Sequence, residues 1–220
     1  MNSIFKSKIV MLLMAAMTVT SFASCGGDDD DNGGGDNGGD KPNTEQLEKK
    51  TVMLSRKTNY GNDWIYFSLK EGKELTGINE DNRKENMQWD LAFNRYNFRT
   101  NSGLSGNGQG GALDTESTDM DAVKAVPEKE FIVDVKAMIT ESFTGSGITE
   151  CESTLNPCMA EAIKFAGPPP SYTPNNHIYI VKTADGKFAK VKVLGFHNNE
   201  GKSGFVSFEY VYQPNGSRNF

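Results

Sequence analysis

Histidine and cysteine are scarce in this chain of 220 residues: the two histidines are His177 and His197, and the three cysteines are Cys25, Cys151 and Cys158. That scarcity removes much chemistry at once. A triad hydrolase needs a nucleophile, a basic imidazole and a carboxylate that orients it, and no G-x-S-x-G turn is present to display a serine. The spacing of Cys151 and Cys158 matches no zinc signature, and both histidines are remote from it in sequence. His177 opens a run in which Tyr179 and Val181 share its face, so it reads as a strand-end or core residue; His197 lies in the polar connection F-H-N-N-E-G, where a solvated side chain is expected. Clustered positive charge is also missing. The formal net charge is −6, and no basic stripe exists of the kind that neutralises a phosphate backbone. Paired carboxylates for glycoside cleavage stay open, because their separation in space is not written in a sequence.

A long apolar run is lacking as well. Ile9–Val19 falls short of the roughly 20 residues that a membrane-spanning helix needs. With Lys6 and Lys8 before it and Ala23 and Ser24 leading to Cys25, residues 1–24 are expected to be a secretory signal peptide ending at a lipobox, with Cys25 acylated after cleavage. Phe22 stands where a lipobox usually has leucine. Residues 25–46, with G-G-D-D-D-D-N-G-G-G-D-N-G-G-D-K-P-N after the cysteine, contain almost no apolar side chain. Such a segment buries too little surface to offset ordering entropy and reads as a flexible acidic tether. Residues 47–220 are one ordinary domain by size.

Within that domain the hydrophobic pattern has period two. W-I-Y-F-S-L from Trp64, F-I-V-D-V from Phe131, H-I-Y-I-V from His177 and the run Phe205 to Tyr212 are β-branched or aromatic stretches bounded by turn residues, which predicts strands. Asp185-Gly186 between two such runs predicts a tight hairpin. Val206, Phe208, Tyr210 and Tyr212 alternate onto one face of the last strand, which is expected to pack the core. Helix is scarce. Thr118–Lys124 has room for one or two turns, and Asn156–Lys164 carries an N-cap Asn followed by Pro157 at the first helical position. The expected class is mainly β with one or two short helices.

Five glycines fall among the nine residues Gly103–Gly111. A phosphate-binding loop would end in Lys followed by Ser or Thr and open a helix, whereas Ala112, Leu113 and Asp114 follow here. The loop therefore reads as a compact structural element in which glycine permits close backbone approach. Once Cys25 is acylated, Cys151 and Cys158 are the remaining thiols of an exported protein, and an intrachain disulfide is expected, contributing about 2 to 3 kcal/mol. Met87, Met120, Met138 and Met159 fill gaps in an apolar core on this reading, although a thioether also ligates haem iron.

The chain resembles the HmuY family of Bacteroidetes haem-binding lipoproteins. The likeness lies in W-I-Y-F-S-L at 64–69, W-D-L-A-F-N-R-Y at 89–96, R-T-N-S-G-L-S-G-N-G-Q-G-G-A at 99–112, V-P-E-K-E-F-I-V-D-V at 126–135, G-P-P-P-S-Y at 167–172 and A-D-G-K-F-A-K-V at 184–191. An acidic run directly after the lipobox cysteine is similar to the surface-export signal of such lipoproteins. The resemblance implies a hand-shaped antiparallel β domain that holds haem in an apolar cleft between extended hairpins. It also implies display on the cell surface by a lipid anchor in the outer membrane, or release from it, and delivery of haem to a TonB-dependent outer-membrane receptor, without a catalytic step. Family members hold the iron with two His or two Met, supplied from the region after the V-D-V strand and from just before the G-P segment. Phe165 and Ala166 occupy the second position here, and the hairpin after Val135 offers no histidine. Met138 and Met159 are the substitutes within reach as iron ligands, with Phe143, Phe165 and Tyr172 lining the slot for the ring. A second reading is a paralogue without iron ligation that takes another hydrophobic or a glycan ligand, or acts as an adhesin.

Overall fold

The computed structural model describes residues 47–220 apart from Ser146 and Pro168; the expected signal peptide, Cys25 and tether lie outside the described residues. The chain is mainly antiparallel β. In order, the strands are β1 (Lys49–Met53), β2 (Ile65–Ser68), β3 (Lys73–Leu75), β4 (Leu91–Asn94), β5 (Asn97–Thr100), β6 (Gly111–Asp114), β7 (Val135–Thr144), β8 (Gly147–Leu155), β9 (Ile163–Ala166), β10 (Ser171–Pro174), β11 (Ile178–Lys182), β12 (Phe188–His197) and β13 (Ser203–Gln213). They form a five-stranded sheet β1-β13-β12-β11-β6, a four-stranded sheet β3-β2-β4-β5, and two separate hairpins, β7–β8 and β9–β10.

The period-two pattern explains how the two large sheets meet. Val206, Phe208 and Tyr210 of β13 face Phe67 of β2 and Phe93 of β4 in the main core, with Phe208 edge-on to Phe67 at 5.2 Å and stacked on Phe93 at 5.2 Å. The opposite face of the five-stranded sheet, through Ile178, Ile180 and Val211, is covered by Met120, Val123 and Val126. The opposite face of the four-stranded sheet, through Tyr66 and Ala92, packs with Trp64 and Trp89 against Ile139 of β7.

The Asp-Gly hairpin forms as expected between β11 and β12, where Thr183 Oγ1 donates to Asp185 Oδ1 at 2.6 Å and Gly186 takes a positive φ. The glycine loop is built on close approach. A Cβ on Gly106 would meet Asn101 Oδ1 at 1.9 Å, and one on Gly103 would meet the Asp134 carbonyl at 2.2 Å. Asn101 holds the loop in turn, donating to the carbonyls of Asn86 and Trp89 and accepting from Gly108 N–H.

Three local expectations differ from the structure. Asn156 does cap a turn, its Oδ1 accepting from Cys158 and Met159 N–H, but the helix stops after one 3-10 turn, Met159–Glu161, because Ile163–Ala166 pairs instead with Ser171–Pro174. Thr118–Lys124 forms bends and turns rather than a helix, since its apolar side chains Met120 and Val123 are drawn down onto the sheet. The F-I-V-D-V run is likewise strand only from Val135 onward, with Ile132 bridging to Ala112.

Candidate functional site: two hairpins and an arginine-centred aromatic corner

The β7–β8 hairpin is tied down at its base and left open along its length. At the base, Arg99 is fully buried on β5 and donates to Thr154 O at 2.9 Å and Ser153 Oγ at 2.8 Å on β8, while its Nη1 meets Glu80 Oε1 at 2.6 Å. The guanidinium also lies over the Trp64 ring at 3.8 Å. Beside it, the buried carboxylate of Asp134 accepts from Thr100 Oγ1 at 2.6 Å and Asn156 Nδ2 at 2.9 Å, and from Thr100 N–H. Burial raises the Asp134 pKa, and the hydrogen bonds from Thr100, Ser105 and Asn156 oppose that rise.

Further out, strand register sorts the side chains. The pairs Met138↔Glu152 and Phe143↔Ile148, with an irregularity between Thr140 and Ser142, put Met138, Phe143 and Ile148 on one face, because alternate residues share a face and cross-strand partners lie together. That face is open: Met138 is 55% and Phe143 65% exposed, and Ile148 is exposed with them. The opposite face carries Ile139, Cys151 and Leu155 into the core.

The β9–β10 hairpin pairs Phe165 with Tyr172. Tyr172 lies 4.4 Å from the Phe196 ring and 5.8 Å from that of His197, both at the end of β12. Phe165 stacks on Tyr96 at 5.4 Å with a 3° interplanar angle. Tyr96 belongs to the two-residue turn that joins β4 to β5, closed by the pair Asn94↔Asn97. The other residue of that turn, Arg95, adopts φ 56°, a backbone conformation that side-chain-bearing residues rarely take. Its guanidinium sits 4.0 Å from the Tyr60 ring centroid and 5.6 Å from that of Tyr96, and its Nη2 donates to Tyr172 Oη at 3.1 Å.

The Tyr60 loop touches the other hairpin, with Gly61 N–H donating to Thr140 O at 2.9 Å and Asn62 Nδ2 to Glu152 O at 3.2 Å. Tyr60, Arg95 and Tyr96 therefore form a corner joined on one side to β7–β8 and on the other to β9–β10.

The structure distributes the expected site residues unevenly. Phe165 and Tyr172 come together in this corner. Phe143 stands apart, and among the described residues no ring contact joins it to them. Met138 is open on the hairpin face, whereas Met159 is 0% exposed and locked in the main core, so the two sulfurs are not presented to one ligand. The expected disulfide is not formed: Cys151 and Cys158 are both free. The chain stays extended from Cys151 to Leu155, which at about 3.3 Å per residue carries it well beyond the reach of a disulfide, and the two thiols pack in different apolar clusters.

Tyr60, Arg95, Tyr96 and Phe196 are the contributors that sequence reasoning missed. The adjacent N-R-Y-N of residues 94–97 is a turn between aromatic strands and was the one local signal available; nothing local marks Tyr60.

The remaining polar clusters carry structure. His177 Nδ1 is 2.9 Å from Asp114 Oδ2, and Cys158 lies close enough to Asp114 to feel its charge, but burial first and that charge second push the thiol up to about 11, the opposite of an activated nucleophile. Among the described residues no group of three His, Cys, Asp or Glu is placed to hold a metal ion.

A concavity of about 200 Å³ is lined by Ser68, Lys70, Glu71, Met87, Gln88, Asp90 and Asp185. Asp90 accepts from Leu69 N–H at 2.9 Å and Ala184 N–H at 3.0 Å, fastening the four-stranded sheet to the β11–β12 turn. Burial lifts its pKa from 3.8 to about 6, against those hydrogen bonds. Because the folded value lies above the unfolded one, its contribution to stability is full below about pH 4 and is lost as pH rises through about 6. Measured against Asp90→Asn, the native chain is expected to gain on the order of 2 kcal/mol between pH 7 and pH 4 in urea unfolding; a pH-independent difference would show that Asp90 does not titrate there.

Residues 60–210 match the family model described as HmuY protein. The chain belongs to the HmuY family. Among solved structures, one described as a putative HmuY-like heme binding protein from Bacteroides vulgatus ATCC 8482 is 27% identical, with a TM-score of 0.61, covering 74% of this chain and 91% of its own. The Tannerella forsythia apo HmuY analog is 21% identical with a TM-score of 0.62, covering 77% of this chain and 100% of its own. Apo PinO from Porphyromonas gingivitis is 22% identical with a TM-score of 0.59, covering 74% and 97% respectively. No curated protein matches the chain. For the two more distant structures the likeness is one of fold.

Proposed function

We propose that this HmuY-family chain is a lipid-anchored surface protein of the outer membrane that binds haem in the space between its two hairpins and passes it to a TonB-dependent receptor, without a catalytic step. The observation that carries the reading is the open apolar face Met138–Phe143–Ile148, held rigidly at its base by Arg99 and Asp134. Large apolar side chains gathered on an exposed face mark a binding surface, and a flat tetrapyrrole is the ligand that aromatic and thioether side chains on two hairpins suit.

The residues fit the ring better than they fit a preformed pair of iron ligands. Of the expected pair only Met138 is accessible, since Met159 would have to leave the core. His197, exposed beside Tyr172, is the other accessible donor near the corner. If haem binds there, Met138 is the residue of the expected pair that would hold its iron, through the thioether sulfur on the open β7–β8 face. The separation of Met138 from Met159 favours a second reading, a paralogue that holds a hydrophobic ligand without iron ligation.

Titrating the chain with haemin while recording the Soret band tests both. A shifted Soret band is expected, and Phe143→Ser with Ile148→Ser, two exposed changes that leave the fold intact, should weaken binding by about tenfold or more, given about 1.5 to 3 kcal/mol for a large apolar contact. Met138→Ala should alter the band's position if the thioether meets the iron. Binding that Met138→Ala leaves spectrally unchanged would support the second reading, and no spectral change in the native chain would overturn the haem assignment.

A further inference from the structure

Arg95 is a cation without an anion. It is 8% exposed, and no carboxylate among the described residues lies within ion-pair distance of it, although eleven other Lys, Arg and His side chains among the described residues are so paired. Its Nε is sealed from solvent with no hydrogen-bond partner. Nη2 is occupied by the Tyr172 hydroxyl. That leaves Nη1, which meets no acceptor among the described residues and is not sealed off.

An unpaired buried charge is among the costlier features a fold can hold, and here it is held on strained backbone at φ 56°. Aromatic faces on Tyr60 and Tyr96 offset part of the desolvation, but rings do not satisfy N–H groups. Backbone strain and an unpaired guanidinium at one surface corner point to a ligand that completes them. Next to it, Asn94 donates to Gly61 O and Asp63 O and leaves its own Oδ1 buried without a partner, so the turn is fixed by its neighbours rather than free to swing Arg95 out.

We propose that Arg95 binds a carboxylate of the ligand, and that the Tyr60–Arg95–Tyr96–Tyr172 corner selects flat aromatic acids over their neutral counterparts. The guanidinium fork matches a carboxylate geometrically as well as in charge, and Phe165, stacked on Tyr96 and partly exposed, offers an aromatic edge to the attached ring. The inference rests on the porphyrin reading above, and extends it by assigning the acid side chains of the porphyrin, rather than the metal, as what this corner holds.

Metal-free protoporphyrin IX and its dimethyl ester separate the two ideas, because neither carries iron and they differ only at the acid groups. Binding is read by quenching of Trp64 and Trp89 emission and by porphyrin fluorescence. The native chain should bind the diacid about tenfold to hundredfold more tightly than the diester, the range set by a charge-assisted hydrogen bond of roughly 1.5 to 3 kcal/mol. Arg95→Gln should bring the diacid down to the level of the diester while leaving the diester unchanged; Arg95→Lys, which keeps charge but not the fork, should fall between. Equal binding of diacid and diester by the native chain overturns the carboxylate assignment and leaves the porphyrin reading standing, even if Arg95→Gln proves unfolded. A preference that persists in folded Arg95→Gln also overturns it. If neither compound binds, the porphyrin reading falls and this assignment with it.

Discussion

Asp134→Ala is expected to unfasten the β7–β8 hairpin and to lower stability by about 3 to 5 kcal/mol, the sum of two or three hydrogen bonds to a buried carboxylate whose donors are left unpaired. The side chain of Asp134 gathers Thr100 N–H and Oγ1 from β5 and Asn156 Nδ2 from the end of β8, and its backbone N–H donates to Ser102 Oγ at 3.2 Å. One carboxylate thus joins the entry of the hairpin, its exit and the four-stranded sheet. Urea unfolding gives the loss, and hydrogen exchange shows where it falls. Amides of β7 and β8 should lose protection well before those of β12 and β13, since local opening follows the weakest anchored unit. A loss below about 1 kcal/mol, or protection lost evenly across both sheets, would show that Arg99 and the Ile139 contact hold the hairpin without Asp134. On the proposed haem reading, haemin binding should weaken in the same variant even though Asp134 is buried away from the open face.

Phe208→Ala should be comparably damaging, about 3 to 5 kcal/mol by the usual range for deleting a buried phenyl ring. Phe208 is fully buried and is the ring on which the two large sheets meet, touching Phe67, Phe93 and Tyr210. β-sheets have little freedom to close such a gap, since their side chains interdigitate at crystal-like density. Equilibrium unfolding in urea checks the figure, and a loss under about 1.5 kcal/mol would mean that the sheets slide together to refill the space. Phe208→Leu, which retains most of the volume, should recover more than half of the difference.

These two expectations separate what holds the body together from what holds the site in place. Phe208 acts through apolar burial at the centre of the body. Asp134, with Arg99 and Glu80, acts through a buried polar network that gives direction to a hairpin otherwise exposed on one face. A polar anchor suits that task, because hydrogen bonds specify orientation, which apolar contact does not.

Much of the body was legible along the chain. Alternation in Phe205–Tyr212 foretold that Val206, Phe208 and Tyr210 are buried, since side chains of a strand point alternately to opposite faces whatever the strand pairs with. Asp185-Gly186 foretold its hairpin for a similarly local reason. The absence of Lys-Ser or Lys-Thr after Gly111 excluded a phosphate loop, and the close approach of Gly103 and Gly106 to their neighbours gives the glycines their structural reason.

The site was decided elsewhere. Asn156 capped a turn as its type dictates, yet pairing of β9 with β10 ended the helix after one turn, and that in turn drew Met159 into the core instead of toward a ligand. Cys151 and Cys158 are near in sequence and apart in space because an extended strand separates neighbours that a loop would have brought together. Tyr60, Arg95 and Tyr172 meet across sequence separations as long as 77 residues. What the sequence determined by itself was the conformation of the strands with clear period-two alternation and of the Asp-Gly turn, which depends on neighbours along the chain. Only the tertiary structure decided which side chains meet at the corner of the two hairpins and which charge is left there unpaired, because those depend on how separate sheets dock.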